Sequence, residues 1–145
     1  VGTDGPPGYR KIVETIVTHA GMRDHVTFHG SVSQEELVAH YVSADVFCCL
    51  SDHEGFCVPV IEAMHHGLPV VAFDCTAVGE TVGNGGLLLK DKNPLVVACA
   101  LHRVSSDSGL AQRLRMAGRQ RAKYFDRGIT QDHFGEYLST LLGSL

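Results

Sequence analysis

Hydrophobic positions along the chain recur with more than one period, and the period switches repeatedly. Val13, Ile16, Val17 and Ala20 fall at i, i+3, i+4 and i+7, which predicts a helix within residues 7–20, closed by Gly21. Val26–Phe28 predicts a short strand. Ser33-Gln34-Glu35-Glu36 reads as a capping box that opens a helix running to about Val42. Asp45–Leu50 is an apolar run rich in strand formers; a helix over about 58–66 and a strand at Pro69–Phe73 follow. Thr76–Gly85 predicts a loop with at most one helical turn, and Gly86–Leu89 predicts the last strand. Asn93-Pro94 caps a helix with Val97, Ala100, Leu101 and Val104 on one face. Leu110, Leu114 and Ala117 mark another helix, and Phe134, Tyr137, Leu138, Leu141 and Leu142 mark the final one. Short apolar runs alternating with helices predict an α/β fold, a parallel sheet covered by helices on both faces.

The size of the chain sets the scale of this fold. At 145 residues it fits one domain, and such a chain can bury roughly 68–70% of its unfolded surface. The 16 acidic residues outnumber the 12 Lys and Arg, so no basic footprint for nucleic acid is expected. Arg113, Arg115, Arg119, Arg121 and Lys123 do cluster late, which reads first as a solvated helix face. The competing reading is contact with an anionic membrane surface or a phosphorylated acceptor. Cys48, Cys49, Cys57, Cys75 and Cys99 make an odd number without a C-x-x-C pair. That usage suits a reduced, cytoplasmic protein in which cysteine serves as a small hydrophobe. No apolar run approaches the 18 residues of a membrane span.

Chemistry concentrates in Ser51–Met64. A strand feeds a glycine-bearing loop and then a helix, placing backbone N–H groups and a helix N-terminus at the carboxyl edge of a parallel sheet. Glu54 in the loop and Glu62 in the helix stand eight positions apart. A carboxylate offers two acceptors to a vicinal diol, so Glu62 could hold a ribose while the preceding N–H groups hold a diphosphate. Glu54 could take hydroxyls of a sugar beyond it. Gly55 lets the backbone approach a ligand, and Pro59 suits a first-turn position. His53, beside Glu54, could donate to phosphate or sugar. An exposed Glu in an early helical turn is also favoured by the helix dipole alone, which accounts for Glu62 but not for Glu54-Gly55-Phe56.

Other constellations carry less. Nine histidines invite a metal reading, and Glu62-x-x-His65 has helical ligand spacing, but there is no H-E-x-x-H and no Cys/His pairing, so no metal site is expected. No G-x-S-x-G nucleophile elbow occurs. Gly83-Asn84-Gly85-Gly86 lacks a phosphate-loop lysine and reads as a turn before a strand.

Taken in order, Glu54-Gly55-Phe56, Pro59, Glu62-Ala63-Met64 and Gly67-Leu68-Pro69-Val70-Val71 resemble the E-x7-E signature of retaining GT-B glycosyltransferases, the large group 1 or GT4-like family. Val1-Gly2-Thr3-Asp4-Gly5-Pro6 resembles the glycine turn after an earlier strand of that family. Val26–Val32 resembles its next strand and base-side loop, and Gly79–Val82 through Gly85–Leu88 its last strand region. The likeness covers nearly the whole chain. It implies the Rossmann-like C-terminal half of a GT-B fold, a single donor-binding domain over residues 1–145, with the acceptor domain and the first strand–helix unit lying outside the chain.

The resemblance also implies roles. Glu54 would be the catalytic-site carboxylate on the donor sugar, with Gly55, Phe56, Cys57 and His53 at the sugar or distal phosphate. Glu62 would hold the ribose, and Gly30, Val32 and Gln34 would lie beside the base. The family often has a small residue where Cys57 stands, and small or apolar residues where His65 and His66 stand, which reads as a surface difference. The intact enzyme would move a hexosyl group from a UDP- or GDP-sugar to an acceptor hydroxyl with retention, without a metal or other cofactor. The acceptor, a sugar, lipid or small molecule, would bind through the missing domain. The implied setting is cytoplasmic, with peripheral membrane contact of the full-length protein as a further expectation. Because Glu54 and Glu62 lack a Lys or Arg nearby in sequence, the diphosphate-binding cations are expected upstream, and this chain alone is expected to be inactive. The alternatives are a GT-B sugar-nucleotide epimerase or phosphorylase, or a non-catalytic assembly module; a phosphorylase would need a cofactor lysine that is not placed here.

Overall fold

A computed structural model of the chain describes residues 5–143. The glycine turn expected at Val1–Pro6 lies mostly outside them. The chain divides into two compact units, residues 1–40 and 41–145.

In the first unit, helix α1 (Tyr9–His19) ends where Gly21 turns left-handed at φ 67°. Met22 N–H then reaches Val17 O and Gly21 N–H reaches Thr18 O, the paired bonds that satisfy the last carbonyls of a helix. Arg10 and Glu14 pair one turn apart at 2.9 Å. The strand expected at Val26–Phe28 does not form. Val26 is extended, at φ −127° and ψ 122°, but among the described residues this segment has no ladder partner. The Arg10 guanidinium lies 5.7 Å from the Phe28 ring instead. Helix α2 (Gln34–Ser43) opens with the expected capping box: Ser33 N–H donates to Glu36 Oε2 at 2.8 Å and Glu36 N–H to Ser33 Oγ at 3.2 Å.

The second unit carries a parallel sheet of β1 (Phe47–Cys49), β2 (Val70–Phe73) and β3 (Leu87–Leu89) in that order. Between them lie α3 (Val58–His65) and α4 (Val78–Val82), and after them α5 (Pro94–Ser106), α6 (Ser108–Lys123) and α7 (Arg127–Gly143). Alternation along β2 sends side chains to both faces. Val71 packs with Leu89, Val97 and Val104, so α5 covers one face, while α3 and α4 touch β2 from the other. Met64, Val60, Val70, Val78 and Val82 are fully buried. The architecture is thus the expected α/β arrangement. The expected loop at Thr76–Gly85 contains α4, whose Val78 and Val82 are drawn into the core.

Caps fix the later helices. The Asn93 side chain accepts from Leu95 N–H at 2.9 Å, as expected, and Asp107 ends α5 and accepts from Leu110 N–H at the start of α6. Helices α3 and α6 approach closely at Gly118, where an added Cβ would lie 3.3 Å from Met64 Cγ and 3.1 Å from Gly85 O. No residue of α7 is buried, although its Phe134, Tyr137 and Leu142 pattern suggested a core face. No helix among the described residues is long and apolar enough to cross a membrane.

Candidate functional site

Strand β1 delivers the chain to the carboxyl edge of the sheet, and the loop Leu50–Cys57 turns it into α3. The loop is held from the segment that follows β2. Glu54 N–H donates to Thr76 Oγ1 at 2.9 Å, and the same hydroxyl donates to Glu54 O at 2.7 Å. Thr81 Oγ1, on buried α4, donates to Phe56 O at 2.7 Å, and the Cys75 thiol donates to Ser51 O at 3.0 Å. Thr76 sits at φ 35°, a strained backbone for a residue with a Cβ. Both backbone groups of Glu54 are therefore fixed, while its half-buried carboxylate makes no hydrogen bond or ion pair to the described residues.

The residues after Glu54 take distinct environments. A Cβ on Gly55 would meet nothing within 4 Å, so nothing in the chain's own packing requires glycine there. Phe56 is half-exposed and meets Phe125 edge-on at 5.4 Å. With Val58, Ile61, Tyr124 and His133 these rings line a cavity of about 480 Å³. Cys57 is buried and left-handed, at φ 63°, where its side chain gives α3 no capping bond and instead shares a thiol–thiol hydrogen bond with Cys49 at 3.7 Å. Its thiol is pushed up to about 12 by burial, with the neighbouring Cys49 and Glu54 charges adding to the effect. Pro59 lies in the first turn of α3, as expected. His53 is exposed.

Glu62 points elsewhere. Its Oε2 accepts from the Tyr41 hydroxyl at 3.0 Å, so one of the two oxygens assigned to a diol already has a donor. Burial first, then the Glu62 hydrogen bond and charge, pushes the Tyr41 hydroxyl well above its usual range. His66 stacks on Tyr41 at 5.6 Å and is half-buried, so it is not the surface difference expected. Glu62 also lines a cavity of about 500 Å³ with His65, Arg119, Lys123 and Arg127. Cationic side chains of α6, and Arg127 at the start of α7, thus share a cavity with the second glutamate, because α6 packs against α3. The late arginines are not simply a solvated face either. Arg121 donates to Thr81 O and Glu80 O, at 3.2 and 2.7 Å, and lies over the Tyr124 and Phe125 rings.

Of the base-side candidates, Gly30 is left-handed at φ 66°, Val32 is half-buried, and Gln34 opens α2. They belong to the first unit, and the two glutamates to the second. Tyr41, Thr76 and Thr81 went unread in the sequence. Each acts across more than 20 positions, where spacing carries no signal.

Residues 4–121 match the family described as glycosyl transferases group 1. The chain belongs to the group 1 glycosyltransferases. It is 36% identical over 112 residues to the MMP alpha-(1->4)-mannosyltransferase of Mycolicibacterium hassiacum, covering 75% of this chain and 27% of that protein. It is 33% identical over 121 residues to a GDP-mannose-dependent alpha-(1-6)-phosphatidylinositol monomannoside mannosyltransferase of Mycobacterium tuberculosis, covering 77% and 31%. Among solved structures it is similar to sucrose-phosphate synthase from Thermosynechococcus elongatus, with a TM-score of 0.80 at 28% identity over 99% of this chain and 38% of that one. The C-terminal domain of a group 1 family protein from Francisella tularensis gives 0.71 at 28% identity, covering 81% and 62%. This group 1 chain spans about a third or less of the length of the curated relatives it matches.

Proposed function

We propose that this chain is the nucleotide-sugar-binding part of a retaining glycosyltransferase. As a single donor-binding domain it would serve transfer of a hexosyl group from a UDP- or GDP-sugar to an acceptor hydroxyl. One observation carries the reading. Thr76 clamps both backbone groups of Glu54, the carboxylate is left without a hydrogen-bond or ion-pair partner among the described residues, and Gly55 beside it keeps open space that the fold itself does not use. A fixed acceptor next to an open backbone suits a sugar whose hydroxyls need pairing.

The roles follow from position. Glu54 accepts from donor-sugar hydroxyls, with His53 and Phe56 flanking. The first N–H groups of α3, which no side chain caps, meet the distal phosphate with Gly55 and Cys57. Glu62 takes a ribose hydroxyl on the oxygen that Tyr41 leaves open. The chain orients the donor and stabilises charge on the departing diphosphate through N–H dipoles and cations, so the transfer needs no metal cofactor. The GDP-mannose-dependent relative from Mycobacterium tuberculosis supports a guanine donor. An Anabaena protein of the same fold, solved in complex with UDP and glucose, keeps a uracil donor within reach of this architecture. The acceptor, a sugar, lipid or small molecule, binds outside this chain. The setting is cytoplasmic, with peripheral membrane contact where the acceptor is a lipid.

Ligand-observed NMR with UDP, GDP, ADP and their sugars tests this. One nucleotide should bind this chain, and Glu62→Ala should abolish the signal. No binding by any of them at millimolar ligand, with or without a preceding strand–helix segment, would end the donor reading.

A further inference from the structure

Three groups with metal-ligand chemistry converge at the head of α3. Cys49 Sγ, Cys57 Sγ and a Glu54 carboxylate oxygen all lie within 4.8 Å of one another. The two sulfurs are 3.7 Å apart. Zinc bonds of about 2.3 Å to two thiolates in a tetrahedron hold the sulfurs about 3.8 Å apart. That is also an ordinary sulfur–sulfur contact, so spacing alone does not decide the matter.

The backbone does more. Cys57 adopts φ 63°, a conformation glycine takes without strain, and there its buried thiol gives the helix no capping bond. The left-handed Cys57 backbone turns its carbonyl to accept from Val60 N–H at 3.0 Å and seats its thiol against Cys49. Glu54 is fixed through Thr76 with its carboxylate unpartnered among the described residues. Without a metal the two thiols share an S–H···S hydrogen bond; a divalent cation would replace that shared proton and engage the Glu54 carboxylate beside it. Two sulfurs and one carboxylate oxygen favour a borderline-soft ion over magnesium or calcium.

We propose that Cys49, Cys57 and Glu54 bind a thiophilic divalent cation of the zinc class, with a fourth position open to water. The ion is not a cofactor for transfer, because it takes the carboxylate proposed to meet the sugar; it would shut the donor site. That consequence rests on the donor reading, whereas the binding itself does not.

Cobalt(II) titration of the chain under a non-thiol reductant, without nucleotide, tests the site. An intense near-ultraviolet thiolate-to-cobalt band should saturate at one equivalent and be bleached by zinc. Cys49→Ser and Cys57→Gly should abolish it, and Cys48→Ser should leave it unchanged. Glu54→Gln should weaken cobalt binding by about tenfold or more. Cys57→Gly suits the left-handed backbone, so its circular dichroism should match that of the parent. The absence of a band at one equivalent, or a band that survives both site replacements, overturns the proposal. Neither result touches the nucleotide experiment.

Discussion

The Tyr41 hydroxyl donates to Glu62 Oε2 across 3.0 Å and 21 sequence positions. Tyr41 is 7% exposed, so its hydroxyl has little access to water if the bond is lost. Tyr41→Phe removes the donor and frees the carboxylate. A bond to a charged acceptor contributes roughly 1.5–3 kcal/mol, but water can replace the phenol at half-exposed Glu62, so the expected loss is about 1 kcal/mol by urea unfolding. The same variant should weaken nucleotide binding, because Glu62 loses its fixed orientation. Unchanged nucleotide affinity would show that Tyr41 serves only the fold.

Alkaline pH should weaken the fold through three groups. Burial raises the Tyr41 hydroxyl and the Cys48 and Cys57 thiols, the last up to about 12, so the folded state holds protons that the unfolded chain has already released. The stabilisation is complete below the unfolded values of about 8.5 for Cys and about 10 for Tyr, and is lost as pH rises through the folded ones. Unfolding midpoints should fall from about pH 8.5 upward. In Cys57→Gly the decline between about pH 8.5 and 10 should be shallower, because only the Cys48 thiol is left to titrate ahead of tyrosine. An identical profile in that variant would refute the assignment to Cys57.

The parts of this molecule that sequence predicts are those settled within one turn of chain. The Ser33–Glu36 box, the Asn93 cap and the Pro59 first turn all bond or pack to residues within four positions. The Gly67 stop is equally local: Leu68 N–H closes on Ala63 O. Val26–Phe28 fails for the complementary reason, since a strand exists only through its ladder partner. The two glutamates were legible as residue types at a spacing, but their settings were not. Thr76 on Glu54, Tyr41 on Glu62 and the cations of α6 beside α3 are all contacts between elements. Helix α7 shows the limit of periodicity, because an apolar stripe states that a face can be covered without saying by what.

Thr81 should prove a positioning residue for the loop. Its hydroxyl is buried and donates to Phe56 O at 2.7 Å. Thr81→Val keeps the shape but leaves that carbonyl without its donor, an expected loss of about 1–3 kcal/mol. Amide exchange at Glu54–Cys57 should speed up, and Thr81→Ser should restore most of the protection. Exchange confined to α4 would show that the hydroxyl supports the helix and not the loop.

Gly55 and Gly118 make opposite predictions from the same substitution type. At Gly118 an added Cβ presses on Gly85 O at 3.1 Å and Met64 Cγ at 3.3 Å, where α6 meets α3. Gly118→Val adds two further methyls to that contact and should destabilise by about 2–3 kcal/mol, in the range of overpacked cores. At Gly55 the added atom meets nothing within 4 Å and the backbone is not left-handed, so Gly55→Ala should leave stability within about 0.5 kcal/mol. If a donor backbone contact passes over Gly55, the same methyl should weaken nucleotide-sugar binding about tenfold, or about 1.4 kcal/mol. Urea unfolding and ligand-observed NMR on the two variants separate a glycine kept for packing from one kept for a ligand. Full nucleotide-sugar affinity in Gly55→Ala would move the donor away from this loop.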